Sequence, residues 1–237
     1  AQLEAAAKKR NLRILRCGDA ADADYRLTAS SGSGAEIAIG GKTYAVTYNA
    51  IGKHWGINAM FALAAVHALG LDAGKSAAKL AEFSEPEGRG RVSKINVDGK
   101  AILLIDDSYN ASPASMAAAF DKTSAVAERQ PGRRIAALGD MLELGPQSAA
   151  LHEKLAAELA RHRFDKVFTS GNYMQHLHEA LQPLVRGAHA AKAMELLPSL
   201  IKELLPGDIL LVKGSHGSKM YELAAALQAY GEKKHAV

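Results

Sequence analysis

The sequence offers little from which to build a covalent or metal-held scaffold. Its 237 residues include a single cysteine, Cys17. A disulfide framework is therefore excluded, and a metal centre built on thiolates very nearly so. Aromatic residues make up only 5% of the chain while alanine is abundant, a balance that favours helices packed closely on a flat surface. No apolar stretch approaches the ~20 residues that a membrane-spanning helix needs. Nothing at the start reads as a signal peptide. The chain does not begin with methionine, and Ala1 to Arg10 read as the middle of an amphipathic helix with no N-cap before it. The expectation is a chain that begins inside a larger protein. A Walker A loop of the order GxxxxGK[ST] is missing, as is a GxGxxG after the first strand of the second half. The net charge of +4 is mild and its basic residues are dispersed, which argues against a nucleic-acid binder and is compatible with small anionic ligands.

What is present is a soluble globular composition, 48% hydrophobic and 23% charged. The first region runs to about Ser84. Tyr25–Thr28, Glu36–Ile39 and Thr43–Thr47 read as strands, the last two joined at Gly40-Gly41, a strong hairpin signal. Helices are expected over Trp55–Leu69, closed by Gly70, and over Lys75–Phe83. Glu85 to Arg91 collects proline, glycine and charge and reads as an interdomain linker, giving domains 1–88 and 89–237.

Beyond it strands and helices alternate. Ala101–Ile105, Arg134–Leu138, Lys166–Thr169 and Asp208–Val212 are short apolar strands. Pro113–Ala127, Gln147–Ala160, a segment from Tyr173, Ala193–Leu204 and Lys219–Ala229 are helical. Continuous apolar strands separated by helices predict a parallel sheet covered on both faces, a doubly wound Rossmann-like α/β domain whose ligands lie at the C-terminal strand ends. A polar cluster follows each strand: Asp106 to Asn110, Gly139 to Met141, Ser170 to Asn172 and Lys213 to Ser218. Any one of them could be ordinary turn chemistry. Together they would line one rim with carboxylates, hydroxyls, a lysine and exposed amides.

Asp106-Asp107-Ser108-Tyr109-Asn110-Ala111-Ser112-Pro113, Leu138-Gly139-Asp140-Met141-Leu142-Glu143-Leu144-Gly145 and Leu211-Val212-Lys213-Gly214-Ser215-His216-Gly217-Ser218-Lys219-Met220 resemble signatures of the Mur ligase family, in its D-alanyl-D-alanine-adding branch. Gly52-Lys53-His54-Trp55-Gly56-Ile57-Asn58-Ala59 resembles the family's GxHxxxNA segment, and His152 stands where the family usually has a histidine. The similarity runs in order over nearly the whole chain. His216 departs from the family's usual arginine, and Ser112 from a common asparagine.

The resemblance implies the C-terminal part of the family's central ATP-binding domain, followed by its C-terminal Rossmann-like domain. The implied reaction is ATP-dependent ligation of D-alanyl-D-alanine to UDP-N-acetylmuramoyl-tripeptide through an acyl phosphate, in peptidoglycan precursor synthesis. It further implies a cytoplasmic protein, monomeric when intact, with no nucleic-acid partner. The phosphate loop and the Mg²⁺ ligands are expected upstream of residue 1, so this part should be inactive alone, with no catalytic or metal-binding residue assigned within it. By the same resemblance His54, Asn58, Arg91, Asp107 and Tyr109 serve ATP, with Arg89 a rival to Arg91. Asn110, Asp140, Lys213 and Ser218 would hold the dipeptide. Other roles stay open: a helix-start cap for His54, a helix–helix hydrogen bond for Asn58, solvated charge for Arg91, packing for Tyr109, a turn cap for Asp106 and a helix cap for Asp140. Cys17 reads as an inert, partly buried thiol, and His176, His178 and His189 as surface residues. Competing identities are a different Mur ligase or a folylpolyglutamate synthase relative, and a non-catalytic Rossmann-type binding module.

Overall fold

In the computed structural model, residues 2–31, 33–50, 52 and 54–232 are described. Ala1 of the expected first helix and Lys53 of the GxHxxxNA-like segment lie outside them. The chain divides into two compact units, Ala1–Ser84 and Glu85–Val237. The division falls within a residue of the start of the expected linker, and Glu85 to Gly90 belong with the second unit.

The first unit contains α1 (Gln2–Lys9) and a sheet of order β1-β2-β3-β4, formed by Cys17–Gly18, Tyr25–Ser30, Gly34–Ile39 and Lys42–Thr47. Gly40 and Gly41 both have positive φ, 56° and 78°, as a two-residue hairpin turn requires. Helix α2 (His54–Ala68) lies on this sheet, and α3 (Ala73–Lys79) follows, N-capped by Asp72. Ile37, Ile39, Met60 and Leu63 form its buried centre. Gly56 lets the helix come close, since a Cβ there would lie 2.6 Å from Ser30 Oγ. Cys17 is half-buried, and burial, with Asp24 nearby, pushes its thiol pKa up, consistent with an unreactive sulfur.

The second unit is a six-stranded sheet of order β5-β6-β10-β7-β8-β9. The strands are β5 (Arg91–Val97), β6 (Lys100–Asp107), β7 (Arg134–Gly139), β8 (Lys166–Ser170), β9 (Arg186–Ala190) and β10 (Ile209–Lys213). All pairings are parallel except the antiparallel β5–β6 edge. The expected helices appear as α4 (Pro113–Arg129), α5 (Ser148–Glu153), α6 (Leu155–Arg161), α7 (Met174–Ala180), α8 (Leu197–Glu203) and α9 (Met220–Glu232). Two of the sequence-predicted helices are interrupted. The one over Gln147–Ala160 breaks at Lys154 into α5 and α6, and Ala193–Leu196 forms a 3₁₀ turn before α8.

Strand β10 explains the layering. Its five residues are all buried. Leu210 and Val212 join the core against Leu223 and Leu227 of α9, while the alternate residues face the side on which α4 packs. Strands β5 and β9 are the elements that the run-of-apolar reading did not find. Both are sheet edges with partly wet faces.

Glu85 is anchored by a buried ion pair with Lys122 of α4, the two side chains 6% and 4% exposed. Burial lowers the Lys122 pKa, opposed by the Glu85 carboxylate. Taking the cation from a buried carboxylate is costly, so Lys122→Ala should destabilise the second unit by about 3–5 kcal/mol. The double replacement Lys122→Met with Glu85→Leu should regain most of that loss. Urea unfolding followed on the second unit checks both, and an unchanged midpoint for Lys122→Ala would show that the pair contributes nothing.

Candidate functional site

Parallel pairing sets the rim of the second unit. Lys213 stands in register with Asp107 on one side and Leu138 on the other, and Gly139 with Ser170. The loops after β6, β10, β7 and β8 therefore leave the sheet together, and all the expected polar clusters of this unit share one edge.

Adjacent carboxylates at the end of β6 have separate tasks, because successive side chains point to opposite sides of a strand. Asp106 is buried, and its Oδ1 accepts from the Ser108 amide at 3.2 Å and from Ser108 Oγ at 2.5 Å. It caps the turn. Asp107 faces Lys213, whose Nζ donates to Asp107 Oδ2 at 2.5 Å and to the Asn110 carbonyl at 2.9 Å. Lys213 is 1% exposed. Burial lowers its pKa, while Asp107 works against that shift. The sequence suggested Lys213 as a ligand for an incoming carboxylate. In the structure its ammonium is spent inside the rim, holding Asp107 and the Asn110 backbone. Asn110 turns its own side chain to the Ala111 amide at 2.8 Å. Ser112 then caps α4 reciprocally with Ser115, and Pro113 takes the first turn.

Ser215 extends the network. Its amide donates to the Asp140 carbonyl, and its Oγ accepts from the Leu142 amide at 2.9 Å. Asp140 Oδ1 accepts from the Met174 amide at 2.8 Å, so the carboxylate caps α7. Gly171 makes room for it, since a Cβ at Gly171 would lie 2.4 Å from Asp140 Cγ. Ser218 Oγ donates to the Ser215 carbonyl at 2.6 Å.

Asp140 and Ser218 come together in a cleft of about 370 Å³, which Asn172, Lys192, Lys219 and Glu222 also line. Both signs of charge face this space. Lys192, from the turn after β9, was not singled out in the sequence, because that strand carries no apolar run. Asn110 and Lys213 are not among the cleft residues.

Tyr109 is 48% exposed. The Arg89 guanidinium lies 4.3 Å from its ring centre, and His216 meets it edge-on at 5.7 Å. His216 in turn stacks on Tyr221 at 5.0 Å. Arg89 thus reaches the Asp106–Asn110 loop through the Tyr109 ring, while Arg91 stands in register with Asp106 on the neighbouring strand. Arg91 opens β5 and pairs with Glu87 at 3.4 Å. His178 and His189, expected on the surface, are half-buried instead and converge on the Thr169 hydroxyl at 3.3 and 2.9 Å. His176 is exposed, as expected.

In the first unit, Asn58 lines an apolar slot of about 220 Å³ with Tyr48, Trp55 and Phe83. Trp55 and Phe83 are 4.8 Å apart, ring centre to ring centre. Sequence reasoning passed over Trp55, although it is the chain's only tryptophan and lies three residues before Asn58. His54, the first residue of α2, packs its ring against Trp55 at 5.0 Å and is not among the slot residues. Among the described residues no group of three or more His, Cys, Asp or Glu side chains could hold a metal ion. No helix among them is long and apolar enough to cross a membrane.

Comparison with known proteins shows the family. Residues 90–216 match the family model described as Mur ligase, glutamate ligase domain. The chain is 33% identical over 209 residues to the UDP-N-acetylmuramoyl-tripeptide–D-alanyl-D-alanine ligase of Bacillus subtilis, spanning 86% of this chain and 45% of that protein. It is 30% identical over 182 residues to the Rickettsia prowazekii protein of the same name, spanning 77% and 39%. A crystal structure of MurF from Acinetobacter baumannii superposes with a TM-score of 0.76 at 26% identity, over 97% of this chain and 49% of that one. The chain thus spans about half, or less, of the length of these relatives.

The Lys213–Asp107 pair gives a direct expectation. Asp107→Ala leaves a buried ammonium without its counter-charge and should cost about 3 kcal/mol, whereas Asp107→Asn keeps an acceptor and should cost less. In Asp107→Ala the Lys213 pKa falls further, so the native state sheds that proton at lower pH than the unfolded chain does. The deficit relative to wild type should then shrink as pH rises through the alkaline range. Denaturation of both chains across that range is the check, and a pH-independent deficit would contradict it.

Proposed function

Since the chain belongs to the Mur ligase family, we propose that it forms the nucleotide- and dipeptide-handling part of an ATP-dependent ligase that joins D-alanyl-D-alanine to UDP-N-acetylmuramoyl-tripeptide in the cytoplasm. In that reaction a substrate carboxylate takes the terminal phosphoryl group of ATP, giving an acyl phosphate and ADP. The dipeptide amine attacks the acyl carbon, and inorganic phosphate leaves. Catalysis of this kind depends on positioning and on neutralising charge.

The observation that carries the reading is the single rim on which the motif-bearing loops of the second unit meet, with a cleft of both charges opening from it. D-Alanyl-D-alanine is a zwitterion. Its ammonium suits Asp140 and Glu222, and its carboxylate suits Lys192 and Lys219. Ser218 and Asn172 add neutral hydrogen-bonding groups. Lys213 and Asn110 support this work from inside the rim. For ATP, the slot lined by Trp55 and Phe83 is apolar, which suits a base such as adenine, and Asn58 offers an amide at its wall. Within the second unit, Asp107 is partly exposed and suits hydroxyls such as those of a ribose. Arg89 and Arg91 supply positive charge for phosphates, and His54 borders the same helix start. The chemistry of a divalent metal in such ligases is to screen phosphate charge. Among the described residues no group of three or more His, Cys, Asp or Glu side chains could hold one.

Two measurements test the reading. In amide NMR spectra of the chain, D-alanyl-D-alanine should shift the signals of Asp140, Ser170, Ser218 and Lys219, and L-alanyl-L-alanine should shift them much less. Equal shifts with both dipeptides would refute the assignment. Asn58→Ala should weaken ATP binding about tenfold, the scale of one lost hydrogen bond to a bound group, and unchanged affinity would remove Asn58 from the site.

A further inference from the structure

His152 on α5 is fully buried and has no part in the chemistry above. Its Nε2 accepts from the Met141 amide at 2.9 Å. A ring nitrogen that accepts carries no proton, so the proton sits on Nδ1, which donates to the Ser148 carbonyl at 2.6 Å. One imidazole thus fixes the residue that follows Asp140. Its face also stacks on Tyr173 at 5.6 Å, 27° from parallel. Tyr173 precedes Met174, whose amide holds the Asp140 carboxylate. His152 therefore braces both loops that bring Asp140 to the cleft, one by a hydrogen bond and the other by ring contact.

We propose that His152 is a positioning residue for the dipeptide cleft: as the neutral Nδ1–H imidazole it holds the Met141 amide and sets the carboxylate of Asp140, and protonation releases that loop. The proposal rests on the cleft being the dipeptide site.

A proton on Nε2 would face the Met141 N–H donor to donor, and the bond cannot survive it. The groups facing the ring are Asp140 after β7, which favours the protonated form, and His176 on α7, which disfavours it. Burial, joined by His176, outweighs the Ser148 carbonyl and Asp140 and lowers the His152 pKa. The folded chain therefore keeps the ring neutral where an ordinary histidine is already charged. The bracing is complete above the ordinary histidine range and is lost as pH falls through the lower folded value.

The test is D-alanyl-D-alanine binding to the full 237-residue chain by calorimetry, from about pH 8 to about pH 4.5, a range that spans histidine titration. His152→Phe keeps the ring and its stack on Tyr173 but removes the acceptor. It should bind the dipeptide about tenfold more weakly at the upper end, the scale of one hydrogen bond. His152→Gln puts an amide acceptor near the position of Nε2 and cannot titrate in this range. It should restore affinity to within about twofold and lack the acid limb of the wild-type profile. A merely structural histidine would give neither the rescue nor the flattened profile. If His152→Phe fails to fold, His152→Gln alone decides. Wild-type affinity in His152→Phe, or an unchanged acid limb in His152→Gln, overturns the positioning role and leaves the cleft assignment standing. No dipeptide binding by the wild-type chain at any pH overturns the cleft assignment, and the proposal falls with it.

Discussion

The second unit turns on one buried ammonium. Lys213 closes the last strand of the sheet, is shut off from water, and donates to Asp107 and to the Asn110 carbonyl. A lone cation cannot be kept in such a place, because the loss of hydration outweighs anything that packing returns. The loop after β6 must therefore come to it, and the in-register pairing of β10 with β6 delivers that loop. Once Lys213 is in place, Ser215 two residues on lies within reach of Ala111, Asp140 and Leu142. Three loops are then tied at their roots. The rim is a network of backbone groups held by a few buried side chains, not a row of independent turns.

That arrangement limits how the site residues can be probed. Asp107 is both a surface carboxylate suited to a ligand and the counter-charge of Lys213, so removing it perturbs the fold and the site together. Asp140 is similar, since its carboxylate faces the cleft and also caps α7. Ser218 is bound to Ser215 within its own turn. In each case the group proposed to meet a ligand is held still by a bond within the protein, as preorganised recognition requires.

The sequence made the architecture legible wherever burial is complete. Strands β6, β7, β8 and β10 stand out as apolar runs because helices cover both faces of the sheet. Strands β5 and β9 did not, because an edge strand has one neighbour and a wet side. Arg186-Gly187-Ala188-His189-Ala190 has no hydrophobic signature at all. The polar loops were legible as a set, since turn residues after apolar strands locate a rim. Their partners were not. Whether Lys213 points at a ligand or into the protein depends on the register of strands more than a hundred residues apart, which no local pattern encodes. The same holds for His178 and His189, which meet at Thr169 only after β9 pairs with β8.

His216 shows how a departure from a family pattern can be absorbed by packing. An arginine there would set a second guanidinium near the one that Arg89 already lays over Tyr109, in an exposed setting where like charges repel and bring no compensating burial. A histidine ring is flat and presents an edge and a face. Its edge meets Tyr109 and its face lies on Tyr221. Arg89, Tyr109, His216 and Tyr221 form a continuous array, with the guanidinium over the first ring, an edge-on contact next and a stacked pair last. The array joins the loop after β6 to the start of α9, near the two ends of the second unit's chain path. It lies on the same rim as the Lys213 network, so the outer layer of the site is held by ring contacts and the inner layer by hydrogen bonds. The inner layer tolerates no change of charge without a buried penalty. The outer layer, being exposed, can exchange an arginine for a histidine while keeping the loop in place.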